Sequence, residues 1–473
     1  MTCRHDVPIP APYRLHKASL NSLQGADLVK KLKRLVGFQQ ASEQHQAQAL
    51  ALADGNPRLL EWLDQVFLDK SIALDALFAR LQAEASRFRE AILLDALFHA
   101  QNSKVRRTIA LSALYRLPVP LPAVQALTED PPTESYLAQA VRIGLVELSH
   151  EQGQAHYFVS GLLDVVLAGE IQAAEREALS AKAAQALAEL WQSVGSETQR
   201  LEVLRLAVAG NNHQVAIPIG DKLAYTMHDQ NRWREAENLC QSVLALHEDF
   251  RLLTTLAQVQ QRLGQGSAAK AAIERALAIA PPSEEAEEDL RRERALSYGV
   301  YADILQARGQ LDEVLRIRTT EELPVYEQLG EVRSIAITKG QIADILQARG
   351  QLDEALRIRT TEELPVYEQL GEVREIAITQ GKIADILEAR GQLDEALRIY
   401  KVDMLPTFEQ LGDMRALLVG RTNLAITLYQ KDVQQFAAEI EKLLRLALAD
   451  AQQMQIPEAE QIRAIMQQMG LQP

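Results

Sequence analysis

The chain has 473 residues, a length that accommodates two or three domains. Hydrophobic residues make up 47% and aromatics only 5%, with Ala, Leu, Gln, Glu and Arg prominent, a composition that favours helix. A formal net charge of −14 excludes a general nucleic-acid binder, because phosphate contacts require clustered Lys and Arg.

Taken in chain order, LNSLQGADLVKKLKRL (20–35) reads as an amphipathic helix. Leu52 to Leu60 reads LADGNPRLL, a Gly-Asn-Pro turn that opens a further helix. Ile109 to Leu167 offers LSALYRLPVPLPAVQAL, then a helix expected over Thr133 to Leu148, then the hairpin-like VELSHEQGQAHYFVS. These segments, with Met1-Thr2-Cys3-Arg4-His5-Asp6 before them, resemble parts of the STAND signalling NTPases with NB-ARC-like modules. The resemblance implies that Arg4 is a remnant of a phosphate-sensing arginine and that Pro57 belongs to the lid that packs near adenine. It also implies a remnant of NTPase core and helical lid over 1–70 and a winged-helix region over 71–169.

The departures from that family are specific. No G-x-x-x-x-G-K-[ST] occurs, so nothing in the sequence cradles a triphosphate and its Mg²⁺. The slot of the family's nucleotide-contacting His holds Val159-Ser160-Gly161 instead. The resemblance therefore implies the C-terminal portion of a STAND protein, without a bound cofactor and possessing at most an association with an NTPase core encoded upstream. As a DNA reader, the expected recognition helix would have one Arg, Arg142, and no Lys, which argues against that role.

After a helical connector over 170–212, a repeat region is expected over 213–473. Ile217 to His247 and Phe250 to Ala280 read as helix pairs, the second ended by Pro281-Pro282. Tyr301 to Gly340 then recurs as Ile342 to Gly381 with a period of 41, and only four of the forty positions differ. A divergent copy starts at Lys382 and a decayed one at Leu424. Such a period marks stacked supersecondary units, each too small to bury its own apolar face. Within one copy, Ile335 to Arg349 has apolar residues at Ile335, Ile337, Ile342, Ile345 and Leu346, and Gly350 turns the chain into a second helix over Leu352 to Leu370. Pro324, Pro365 and Pro406 fall inside that second helix, which predicts a kink or a break into two segments.

The pattern G-Q-L-D-E-A-L-R-I resembles the tetratricopeptide repeat in its long form. Gly350, Leu352, Ala355 and Leu356 fit its turn and small-residue slots, whereas Arg359 lies near the slot of its usual aromatic. The resemblance implies a groove lined by the first helices that binds a protein or peptide. Carried onto this chain, that groove includes Asp303, Gln306, Asp344, Gln347, Asp385 and Glu388, an acidic and amide ladder suited to a basic or polar extended ligand.

No catalytic constellation competes with this reading. The nine histidines form no H-E-x-x-H, and no G-x-S-x-G occurs. Cys3 and Cys240 are too few for a disulfide framework or a Cys-rich zinc site, no metal site is expected, and Cys240 sits on an apolar helical face as a packing residue. No apolar run approaches the roughly 18 residues of a membrane span, and the first residues lack a secretory signal, so a cytoplasmic location is expected. The expected fold is all-α, a tetratricopeptide-type helical solenoid preceded by a small helical lid and a winged-helix module. The expected function is non-enzymatic: the ligand-binding sensor or regulatory portion of a STAND-type protein. The alternatives are a free-standing tetratricopeptide scaffold and a winged-helix transcription regulator.

Overall fold

A computed structural model describes residues 22–84, 89–128, 132–151, 153–192, 195–282 and 287–472. They form two compact units, one ending at Leu223 and the other starting at Ala224. Arg4 and Cys3 lie outside the described residues.

The first unit opens with short helices: α1 (Gly25–Leu32), α2 (Val36–Gln40), α3 (Glu43–Ala53), α4 (Pro57–Leu68), α5 (Leu74–Ala83) and α6 (Arg89–His99). Local chemistry sets their ends. Ser42 caps α3 by accepting from the His45 amide, and Asn56 caps α4 by accepting from the Arg58 and Leu59 amides. Pro57 is the first residue of α4, where its missing N–H leaves no bond unmade. The apolar side of α4 (Leu59, Leu60, Trp62, Leu63, Val66) is buried.

Next come α7 (Ser103–Ser112), β1 (Val119–Pro120), α8 (Leu121–Gln125), α9 (Thr133–Arg142), β2 (Glu147–Glu151) and β3 (Gln154–Phe158). The strands form an antiparallel sheet in the order β1–β3–β2, with Tyr157 of β3 opposite both Val119 and Leu148. The sequence places a helix over Thr133 to Leu148, but α9 stops at Arg142. Gly144 takes φ +75°, its carbonyl accepts the Trp62 indole N–H at 3.3 Å, and a Cβ there would lie 3.0 Å from that indole nitrogen. The chain then turns into β2. Two longer helices, α10 (Ala173–Leu190) and α11 (Glu197–Ala209), occupy the expected connector, α11 starting at a Ser196/Gln199 capping box. The boundary between the units falls inside α12 (His213–Asp229).

The second unit continues with α13 (Trp233–Leu244), α14 (Phe250–Arg262), α15 (Gly266–Ile279) and α16 (Glu288–Gln306). The 41-residue units follow as α17 (Leu311–Ile317), α18 (Leu323–Leu329), α19 (Val332–Ala348), α20 (Leu352–Ile358), α21 (Leu364–Leu370), α22 (Val373–Ala389), α23 (Leu393–Arg398) and α24 (Leu405–Leu411). The chain ends with α25 (Met414–Gln453) and α26 (Glu458–Gln468). The first helices α16, α19 and α22 are each followed by a second helix built from two α segments, whereas the start of α25 is followed by the rest of that helix. Gly309, Gly350 and Gly391 turn the chain within a unit at φ +74°, +77° and +75°, a region that costs an L side chain about 1–2 kcal/mol. In the decayed unit this slot holds Asp432 at φ −164°. Its carboxylate caps the next segment through the Gln434 and Gln435 amides, so α25 bends without a glycine turn.

The core of the repeats is small residues against branched ones. Ala302, Leu305, Val314, Ile317 and Ile345 pack together, and Ala343, Ala355 and Ile358 repeat the arrangement one unit later. Apart from the three-stranded sheet, the described fold is helical throughout. Cys240 is buried within α13, as its apolar setting predicts.

Candidate functional site: the first-helix face and its buried clasps

The second helix of each of the three 41-residue copies must pass a proline, Pro324, Pro365 or Pro406, and it does so through a π turn. An α-helix at Pro324 would press the pyrrolidine ring on the carbonyl four residues back. Instead the Leu323 amide reaches the Arg318 carbonyl, five residues back, and the turn over Arg318–Glu322 widens. Leu364 to Arg359 and Leu405 to Tyr400 repeat the same bond. The expected kink or break into two segments takes the form of two α segments joined through a widened turn.

The widened turn sets two side chains, four residues apart, into the interior. Arg318 is 1% exposed and Arg359 3%, and Glu322 and Glu363 are buried beside them. Arg318 Nη1 donates to Glu322 Oε2 and to Gln341 Oε1, both at 2.8 Å, while Nη2 donates to Asp303. Arg359 donates to Glu363 Oε2 and to Asp344 Oδ1, each at 2.6 Å. Thr338 and Thr379, on the following first helices, donate to Glu322 and Glu363 at 3.3 Å. Gly299 and Gly340 leave room for the carboxylates: a Cβ at Gly340 would lie 2.5 Å from Glu363 Oε1. Burial pushes the carboxyls of Glu322 and Glu363 above their ordinary range, and the neighbouring guanidinium only partly offsets it. The Nε atoms of Arg318 and Arg359 are buried without a hydrogen-bond partner.

The third copy fills the same slots with different chemistry. Tyr400 stands where Arg359 does and donates its hydroxyl to Asp385, which also accepts from Asn423 Nδ2 at 3.2 Å. Met404 stands where Glu363 does. Gly420 replaces Thr379, and a Cβ on it would lie 2.8 Å from Met404 Cε. Burial raises the carboxyl of Asp385, and burial together with Asp385 raises the phenol of Tyr400.

These bonds place the residues expected in a groove. Asp303, Asp344 and Asp385 share one face of α16, α19 and α22, and each carboxylate already holds the second helix of its own unit. Gln306 is exposed and Gln347 half-buried on the same helices. Glu388 accepts from Thr427 at 2.6 Å and Gln430 at 2.7 Å. Pro57 belongs to the other unit, as the first residue of α4. Arg4 lies outside the described residues.

An apolar column runs along the same helices, and sequence reasoning passed over it. Leu296, Ile337, Ile378 and Val419 occupy one slot of the 41-residue period. Leu296 is 40%, Ile337 36% and Val419 41% exposed, and Ile378 is half-buried. Ile378 and Val419 line a cavity of about 340 Å³ together with Met404, Phe408 and Ala416 and with the polar or charged Arg374, Lys382, Asp385, Asp413, Arg415 and Asn423. Ion pairs tie neighbouring units at the rim: Arg292 to Glu331 at 2.7 Å, and Arg333 to Glu372 and Arg374 to Asp413 at 2.9 Å.

Stacked helix pairs with small residues at the crossings define a helical repeat protein. Residues 221–249 match the family model described as tetratricopeptide repeat. Among solved structures, the chain is similar to a signal transduction ATPase with numerous domains (STAND) protein with a tetratricopeptide repeat sensor from Pyrococcus horikoshii. The identity is 15% and the TM-score 0.55, over 93% of this chain and 62% of that one. The chain thus spans less than two thirds of that protein. It is also similar to a putative kinesin light chain with nearly identical TPR-like repeats from Podosopora anserina, at 21% identity and TM-score 0.36, over 44% of this chain and 96% of that one. A Rap protein complexed with competence and sporulation factor shares 15% identity at TM-score 0.38, over 62% of this chain and 91% of that one. No curated protein matches the sequence. Among the described residues, no helix is long and apolar enough to cross a membrane.

Proposed function

We propose that this chain recognises a peptide, or an unfolded segment of a protein, on the face of α16, α19, α22 and the start of α25. The observation that carries the reading is the repeated, exposed pairing of an apolar column with a polar one on the first helices, ending at a cavity of about 340 Å³. The buried clasps support it by fixing the second helices, so that the face is presented ready-formed and binding costs little ordering of the protein.

The likeness of fold to a STAND protein with a tetratricopeptide repeat sensor supports placing the chain in a signalling protein of that kind, as its sensor and adjoining regulatory parts. In this reading residues 1–70 contain the core remnant and lid, 71–169 a winged-helix region, 170–212 the connector and 213–473 the sensor. The chain hydrolyses no nucleotide itself, acts in the cytoplasm, and works with an NTPase core supplied by an upstream-encoded segment.

The test is display of random 16-residue peptides against the purified full chain. Peptides are expected to be enriched, and to lose binding to the Ile337→Glu/Val419→Glu double variant while its melting temperature holds. Asp344→Lys is a poor probe, because it sets a second cation against the buried Arg359. Failure to enrich any peptide refutes the proposal.

A further inference from the structure

The third copy leaves one carboxylate without the cation that its counterparts have. Asp303, Asp344 and Asp385 occupy one slot of the 41-residue period. Asp303 accepts from the guanidinium of Arg318, and Asp344 is held by Arg359 at 2.6 Å and Lys382 at 3.3 Å. Asp385 accepts instead from two neutral donors, the phenol of Tyr400 and the amide of Asn423. Both bonds end on Oδ1. Among the described residues, Oδ2 accepts no hydrogen bond and Asp385 has no ion pair. Burial holds its carboxyl above the ordinary range, and Lys382 and Arg359, acting at longer range, do not offset that.

This carboxylate is half-buried on the wall of the cavity of about 340 Å³, a volume at the small end of ligand pockets. The cations of the same wall are engaged elsewhere. Arg374 holds Asp413 at 2.9 Å, Lys382 holds Asp344 at 3.3 Å and Arg415 holds Glu458 at 2.7 Å. An anion therefore finds no free partner here. An apolar side chain would cover Asp385 and leave its charge out of water and uncompensated. A cation on an aliphatic stem suits both the carboxylate and the apolar wall. Arginine and lysine then differ. In the first two copies a guanidinium spreads over two carboxylates, Arg318 over Asp303 and Glu322, and Arg359 over Asp344 and Glu363. In the third copy Met404 replaces the second carboxylate, and Asp385 has one oxygen left. An arginine fork would bury donors with nothing to bond, whereas an ammonium is a compact charge that one oxygen can hold.

We propose that the cavity of the third copy is a lysine pocket on the peptide-binding face, with the methylene stem along Ile378, Met404 and Phe408 and the ammonium on Asp385 Oδ2. The inference rests on the peptide-binding reading above and names one side chain that the ligand must carry. The ligand supplies in the third copy the cation that the first two copies build into themselves.

The experiment follows the Ile378 δ1-methyl signal of the full chain, assigned through Ile378→Val, in methyl NMR spectra. The probes are the Nα-acetyl methylamides of lysine, arginine and norleucine. Lysine is expected to shift the signal with a dissociation constant of about 1–10 mM, and the other two to bind at least about tenfold more weakly. Asp385→Asn keeps an oxygen for Tyr400 and Asn423 and is expected to lose the lysine preference with its melting temperature held. Tyr400→Arg/Met404→Glu/Gly420→Thr rebuilds the clasp of the second copy, supplies the cation from within, and is expected to abolish the lysine shift; it gives the same reading should Asp385→Asn unfold. Equal binding of norleucine, a preference for arginine, or a lysine shift that survives both variants overturns the inference. So does the absence of any lysine shift, and peptide recognition then stands if display-selected peptides bind. A lysine shift with no peptide enriched supports the pocket and removes the proposed function.

Discussion

The buried clasp of the second copy can be exchanged for that of the third, and the exchange measures what the clasp contributes. Replacing Arg359 by Ala leaves Glu363, buried and raised by desolvation, without its cation, and leaves Asp344 without its partner in the second helix. Removing one member of a buried pair costs about 3–5 kcal/mol, because the remaining charge stays out of water. Replacing the whole pair is different. Arg359→Tyr, Glu363→Met, Thr379→Gly and Lys382→Asn together rebuild the arrangement of Tyr400, Met404, Gly420 and Asn423 found one unit later. The Thr379→Gly change is essential, since the Met404 methyl group occupies the space that a Cβ at Gly420 would need. The fourfold variant is expected to lie within about 1–2 kcal/mol of the original protein, the remaining cost coming from glycine in a helix and imperfect repacking. Arg359→Tyr/Glu363→Met without the glycine is expected to fall between. Urea unfolding of the full chain followed by far-ultraviolet dichroism reads all three. A loss under about 1 kcal/mol for Arg359→Ala, or a fourfold variant as unstable as the single one, refutes the reasoning.

Three further outcomes follow from the same geometry. Glu363 has its folded-state carboxyl raised above its ordinary value of 4.5, so its contribution to stability is present below that value and is lost as pH rises through the folded one. The original protein should therefore lose stability relative to Glu363→Gln on going from about pH 4 to neutrality, and a flat or opposite difference in melting temperature contradicts this. Gly340→Ala should cost about 2–3 kcal/mol by driving a methyl group into Glu363, whereas Gly350→Ala, in open space at φ +77°, should cost about 1–2 kcal/mol; thermal melts that reverse the order would contradict the packing described. Arg333→Ala removes an exposed pair with Glu372 and should change stability by less than about 1 kcal/mol, and a larger loss in urea unfolding would show the rim pairs to be structural supports.

Much of the second unit is legible before folding because its signals are local. The glycines at 309, 350 and 391 mark turns that demand φ near +75°, and the 41-residue period sets which slots correspond. The proline slot predicts a disruption, but not its form. Whether the helix breaks or widens depends on Arg318 and Glu322 finding Asp303, Gly299 and Thr338 on two other helices, information that no short window contains. The same applies to the aspartate column: one face of the first helices is visible in the pattern, while its partners, the guanidiniums of Arg318 and Arg359 and the phenol of Tyr400, are brought back by the π turn. Ile337 reads as a core residue because it is apolar at helical spacing, and only the packing leaves it a third exposed. In the first unit, Thr133 to Leu148 looks like one helix until Trp62, far off in sequence, fixes Gly144 in a turn.

The central claim, that the first-helix face of the repeats is the binding surface, is tested most directly by hydrogen–deuterium exchange of the full chain with and without a display-selected peptide. Added protection confined to α16, α19, α22 and the beginning of α25 is the predicted result. Protection that falls instead on α20, α21 or the first unit, with those helices unchanged, would contradict it.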